Sequence, residues 1–377
     1  MGSFSSTAAA RLATKLAFFT AGFAMASCAP LIPFIKQKVG ADESQFGLLL
    51  LCLGLGSIIA MPLTGLMAAR RGPRPMVLLG GFGVIIFLPM LTVAETPFIL
   101  AAALFIFGAS LGTIDVAMNL HGVAVENREK RSLMSSFHAQ FSIGGLCGAG
   151  LMTLLLSIGV PLTMTAIIGA TVTLVAIIPT ISRLLYVSAA RKQPIKLPYG
   201  IVLLLGLLAA IMFLVEGAIL DWGALLIIDR QLLATENAGV GYILFSAAMV
   251  VARLTGDQIV RAWGELRVLI VGAIITILGI STLLLANLPL AALAGFVLIG
   301  LGAGNLVPIF FSAAGRQKVM PASLAIASVT TTGYAGVLVG PAIIGFVADS
   351  TSLSIAFGWL ALLVAVVPFT AYLVARS

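Results

Sequence analysis

Asp115 and Asn119 stand four residues apart inside a long apolar run, so a helix there would present both on one face. A carboxylate beside an amide suits proton transfer and hydrogen bonding to a polar solute. Glu126 lies seven residues further on, at the edge of the charged turn ENREKR, and His138 follows early in the next apolar run. Glu216 is a second carboxylate in apolar surroundings, with Gly217 after it and Asp221 and Trp222 about a turn later. Arg253 and Asp257 are again four apart. Each group has a chemical reading and a bland one. Asp115 either carries a proton or bonds a neighbouring helix, and its isolation among apolar residues favours the proton. Asn119 either bonds substrate or closes a helix contact. His138 either shuttles protons or packs through one hydrogen bond, and its ring is the side chain suited to proton exchange near neutrality. Glu126, beside ENREKR, suits a salt bridge. Glu216 either escapes its desolvation cost by taking a proton, with Gly217 as a hinge, or pairs within its own half; the gate is the reading we favour. Asp221 with Trp222 fits an outer gate or an interfacial anchor. Arg253 and Asp257 read as an ion pair on one helix face, unless the substrate brings a carboxylate for Arg253 to clasp.

These residues must be placed by membrane helices. The chain is 60% hydrophobic and 9% charged, with mean hydropathy +1.17. Soluble domains carry roughly a quarter charged residues, so this is an all-α integral membrane protein. A charge at the centre of a span costs about 3 kcal/mol on insertion scales, which makes each of the groups above a candidate for function. A span takes about 20 apolar residues. Twelve are expected, near 12–35, 45–69, 75–94, 98–121, 132–156, 161–186, 199–228, 238–261, 267–286, 289–314, 321–347 and 353–375. Pro89, Pro179 and Pro308 interrupt spans without necessarily ending them. The expected domains are a six-helix bundle over 1–186, a cytoplasmic linker over 187–198 and a second six-helix bundle over 199–377. Of the 21 Lys and Arg residues, seventeen fall on one side of this arrangement and three on the other, with Arg253 inside a span. The positive-inside rule then puts both termini in the cytoplasm. The net charge of +8 follows from this loop bias and does not call for nucleic acid.

The two halves repeat. Gly108 and Gly112 recur as Gly300 and Gly304, and Gly144 and Gly148 as Gly336 and Gly340, at a constant offset of 192. The same offset sets Thr330 opposite His138, Thr332 opposite Gln140 and Tyr334 opposite Ser142. These matched polar positions lie among small residues that let helices approach closely. They would also suit a polyhydroxylated solute. Asn305, in a glycine-rich stretch, is a further cavity candidate. Two parallel six-span halves are a transporter plan, with the substrate between them near the midplane.

Other classes are disfavoured. Cys28, Cys52 and Cys147 all sit in apolar segments, so no disulfide is expected. Two histidines without HExxH-like spacing offer neither a metal site nor an enzyme's ligand cluster. The P-loop pattern is absent, which argues against direct ATP drive. No cofactor is called for. Arg11 and Lys15 lead straight into a spanning segment, so no cleavable leader is expected.

The loop between spans 2 and 3 reads Gly65-Leu-Met-Ala-Ala69-Arg70-Arg71-Gly72-Pro73-Arg74, with a looser copy, Gly256-Asp257-Gln-Ile-Val-Arg261-Ala-Trp-Gly264, in the second half. This resembles the G-x-x-x-D-[RK]-x-G-[RK]-[RK] signature of the major facilitator superfamily, with Ala69 in place of the Asp. Phrases such as MNLHGVAVEN, SSFHAQFSIGGLCGA and RLTGDQIVRAWG look like its bacterial YbjJ-like branch, near the fucose-permease-type transporters. The resemblance implies a cytoplasmic latch at Arg70 and Arg74, for which Asp257 would compensate the missing Asp. It also implies a monomeric carrier in the inner membrane, moving a small sugar-like solute by alternating access with protons. The alternative is proton-driven efflux of drugs or metabolites. Coupling would fall to Asp115 and Glu216. The cavity would be lined by Asn119, His138, Gln140, Asn305, Thr330 and Tyr334, and gating by Arg70, Arg74, Glu126, Asp221, Arg253 and Asp257.

Overall fold

A computed structural model describes residues 7–41, 43–186, 197–233 and 240–377. Among these residues twelve helices are long and apolar enough to cross a membrane. In chain order they are Thr7–Leu31, Leu48–Arg71, Pro73–Val93, Pro97–Glu129, Met134–Leu156, Leu162–Thr180, Ile201–Asp229, Val240–Trp263, Glu265–Leu285, Pro289–Arg316, Ala322–Ala348 and Leu353–Ala375, called spans 1 to 12 below. Helices are required because a lipid-exposed backbone must satisfy its own hydrogen bonds. Residues 187–196, most of the expected linker, lie outside the described residues.

Two boundaries differ usefully from expectation. Span 4 runs to Glu129, two turns beyond the expected end. The residues ENRE are good helix formers and close the helix, and Lys130 caps it in the left-handed conformation, its N–H bonding the Glu126 carbonyl. Glu126 is therefore a buried helical residue and not the edge of a turn. Span 10 is discontinuous, with helices over Pro289–Ala303 and Leu306–Arg316.

The chain divides into two compact units. One comprises Met1–Lys130 with Gln140–Lys196, the other Arg131–Ala139 with Leu197–Ser377. The first turns of span 5 thus belong to the second unit.

Within each unit the repeated glycines do the same work. A side-chain carbon at Gly108 would collide with the Leu53 carbonyl of span 2, and one at Gly112 with the Ser57 backbone. In the second unit, Gly300 abuts the Phe245 carbonyl of span 8, and Gly304 abuts Ala252 and Met249. Leu53 and Phe245, like Ser57 and Met249, are themselves 192 residues apart. Close approach without a Cβ brings backbones together, and dispersion rather than hydrophobicity holds such helices in lipid.

Candidate functional site

The second unit gathers its polar groups where span 10 breaks. Proline has no N–H, so Pro308 cannot donate to the carbonyl four residues back, which is that of Gly304. Arg253 of span 8 fills the vacancy, its Nε donating to the Gly304 oxygen at 3.2 Å. The same guanidinium reaches across to span 7, where Nη2 meets Glu216 Oε1 at 3.0 Å. The Arg253 side chain is 6% exposed and that of Glu216 23%. Beside them the Asn305 amide donates to the Ala252 carbonyl at 2.9 Å. Its Oδ1 is buried and has no hydrogen-bond partner among the described residues. Gly256 leaves room for that amide, since a Cβ there would strike it.

The ion pair expected within span 8 does not form. Arg253 pairs between helices, and Asp257 does something else. Its carboxylate accepts the backbone N–H groups of Ser135 and Ser136, each at 3.1 Å, and the Ser136 hydroxyl as well. Those N–H groups belong to the first turn of span 5, where a helix has no internal acceptors for them and where its dipole favours an anion. Arg261 adds a bond to the Ser132 carbonyl at 3.3 Å. The sequence spacing pointed to the nearer partner; the helix end offered more donors.

The remaining second-unit candidates fare differently. The His138 ring lies 5.5 Å from that of Phe311 and is buried. Thr330 is fully buried, and its hydroxyl donates to the Ile326 carbonyl of its own helix. Tyr334 stands edge-on to Phe213. Asp221 is exposed, while the Trp222 indole packs against Gly345.

In the first unit Asp115 is 8% exposed. Among the described residues no donor or cation reaches its carboxylate. The Asn119 amide donates to the Asp115 backbone carbonyl at 2.9 Å, and its Oδ1, like that of Asn305, is buried without a partner. Glu126 is buried about three turns beyond Asp115 on the same helix, and beyond it Arg11 pairs with the part-buried Glu129 at 3.2 Å. Gln140, the first residue of span 5 in this unit, is half-buried. Arg70 is exposed. Arg74 is tied within its own unit, donating to the Ile181 carbonyl at 2.6 Å with its guanidinium 4.3 Å from the Tyr186 ring centroid.

His121 is a group that spacing did not single out. It is fully buried, and Nε2 accepts the Leu185 N–H at 2.8 Å. That nitrogen therefore carries the lone pair, and Nδ1–H donates to Thr14 Oγ1 at 2.9 Å, whose own hydrogen goes to the Ala10 carbonyl. The ring pins spans 1 and 4 to the chain beyond span 6. A lone histidine in an apolar phrase gives no sign of such partners. The role of Pro308 was equally hidden, because only its register with Gly304 and Arg253 reveals it.

Comparison with known proteins places this geometry. The family description "Major Facilitator Superfamily" matches residues 16–317. An uncharacterized MFS-type transporter of Yersinia pestis is 44% identical over 369 residues, covering 97% of this chain and 96% of the relative. A transporter of Sinorhizobium fredii is 33% identical over 357 residues, covering 93% and 94%. Among solved structures, the fucose:proton symporter of E. coli shares the fold, with a TM-score of 0.78, 16% identity and full coverage of both chains. The twelve spans, the repeat and these matches together establish that the chain belongs to the Major Facilitator Superfamily, as a multi-pass secondary transporter.

Proposed function

We propose that this transporter couples a small polar, sugar-like solute to protons by alternating access of its two six-helix halves. It would work in the inner membrane with both termini cytoplasmic. The observation that carries the reading is Asp115. A carboxylate buried without cation or donor is costly as an anion, and a proton is the simplest counter-charge available to it. An acid that must gain a proton when enclosed and release it when wetted is what coupling to a proton gradient requires. Glu216 is the second candidate, although its charge already has Arg253. The unpartnered amide oxygens of Asn119 and Asn305 support a solute rich in hydroxyl donors. The loop charge bias supports the orientation.

Reconstituted protein should accumulate its solute inside vesicles under an inward proton gradient and lose that accumulation when a protonophore collapses it. Accumulation that survives the protonophore would defeat the proton-coupled reading. For orientation, Gln37→Cys should label from outside and Lys192→Cys only from inside; the reverse pattern would overturn it.

A further inference from the structure

We propose that Arg253 is an exchangeable anion site with Glu216 as its internal occupant, and that the transported solute is a polyhydroxylated carboxylate which takes Glu216's place. This rests on the proton-coupled reading above and names its substrate class.

Three features of the second unit carry it. First, Arg253 does not depend on Glu216 for its position. Its Nε is held by the Gly304 carbonyl that Pro308 leaves free, so the guanidinium stays aimed when the carboxylate departs. Arginine presents several N–H donors in a fixed fork, which suits an incoming carboxylate better than a lone backbone carbonyl would. Second, the carboxylate is the accessible member of the pair. Glu216 keeps 23% of its side-chain surface, against 6% for Arg253, so exchange can begin at the acid without exposing the base. Third, Asn305 Oδ1 lies against Gly256, one turn along span 8 from Arg253, buried and without a partner among the described residues. An orphaned acceptor at that place calls for an O–H donor, which a hydroxylated solute supplies and a bare hydrocarbon acid does not.

The exchange balances. A hydronium ion gives its proton to a Glu216 oxygen and leaves as water, the bond from Arg253 Nη2 to that carboxylate breaks, and the solute's carboxylate accepts the guanidinium's donors instead. The guanidinium stays compensated throughout, which avoids the large cost of an unpaired buried charge. At this site the proton and the solute's negative charge enter together, so the exchange itself is electroneutral, and the net proton that drives accumulation remains that of Asp115. Other titratable groups around Glu216 are few. Tyr242 comes from span 8 and Tyr334 from span 11, Asp221 lies further along its own helix, and His138 lies in the first turns of span 5. Asp257 is committed to Ser135 and Ser136. Spans 10 and 12 bring none before Arg316 and Tyr372.

The test compares D-gluconate with D-glucitol, which share a chain of hydroxyls and differ in the carboxylate, with acetate as the minimal anion. Thermal unfolding of the purified full-length protein in detergent is followed at acidic and neutral pH. Gluconate should stabilise the wild type more at acidic pH, and glucitol should not. Glu216→Gln should bind gluconate at neutral pH about tenfold more tightly than the wild type and should respond to acetate. Arg253→Gln should respond to neither. Equal shifts from gluconate and glucitol, or no carboxylate response in Glu216→Gln, overturn the proposal. If Glu216→Gln fails to fold, the wild type decides alone, and the absence of an acid-enhanced gluconate response overturns it. No gradient is present in this assay. A gluconate response without proton-driven accumulation would therefore sink the coupled reading and spare the anion site, and proton-driven accumulation of a neutral solute with no gluconate response would do the opposite.

Discussion

The two units build the same scaffold and place opposite charges on it. Spans 2 and 4 meet at Leu53–Gly108 and Ser57–Gly112, and spans 8 and 10 meet 192 residues later at Phe245–Gly300 and Met249–Gly304. The polar groups do not repeat. Where the second unit has Arg253, the first has Met61; where it has Pro308, the first has Val116 and an unbroken helix. Conversely, Asp115 and Asn119 correspond to Val307 and Phe311. Thr113, bonded to Thr64 at 3.2 Å, corresponds to Asn305, which sits against Gly256. Backbone contacts through glycine constrain both copies, because any Cβ collides. Side chains facing the interior of each unit were free to diverge, and they diverged into an acid without a base and a base with a replaceable acid. On our proposal one unit carries a proton and the other an anion.

The comparison breaks most easily at Arg253. Arg253→Ala strands the Glu216 charge and should cost about 3–5 kcal/mol, read as a large fall in unfolding midpoint and yield. Asp115→Asn removes no partner and should unfold close to the wild type. Equal stability of the two variants would mean that the units do not differ in this way. A smaller loss is expected from Asp257→Ala, which deprives span 5 of its N-terminal acceptor and should cost about 1 kcal/mol, measured by thermal unfolding. Asp257→Asn should keep part of that, since an amide oxygen still accepts. The smallest effect sharpens the contrast. Pro308→Ala gives the second unit an N–H that competes with Arg253 for the Gly304 carbonyl, as in the unbroken first-unit helix. It should leave the fold intact and raise the apparent KM about threefold, whereas Val116→Ala in the first unit should leave KM unchanged.

Much of this architecture was legible in the sequence, and the reasons are physical. A bilayer imposes length and composition on each span, so twelve apolar runs leave little freedom. Glycine spacing disclosed which helices repeat because close approach tolerates nothing larger. Pairing was less legible. Arg253 and Asp257 share a helix face, yet Arg253 bonds Glu216, 37 residues away in sequence, and Asp257 bonds Ser135 and Ser136. Spacing reports neighbours on one helix, whereas a buried charge takes whichever partner on any helix satisfies it most fully. Thr330 illustrates the converse. Its position matched His138, but its hydroxyl is satisfied by its own backbone, a choice that small hydroxyl side chains always have.

On our proposal Asp115, whose carboxylate has no partner among the described residues, holds the coupling proton. Asp115→Asn preserves shape and removes the titratable proton, so it separates coupling from binding. The decisive measurement is solute uptake by this variant in proteoliposomes, with an imposed inward proton gradient and, separately, by counterflow without one. Gradient-driven accumulation should be lost while counterflow continues near the wild-type rate. Accumulation by Asp115→Asn at the wild-type level would contradict it.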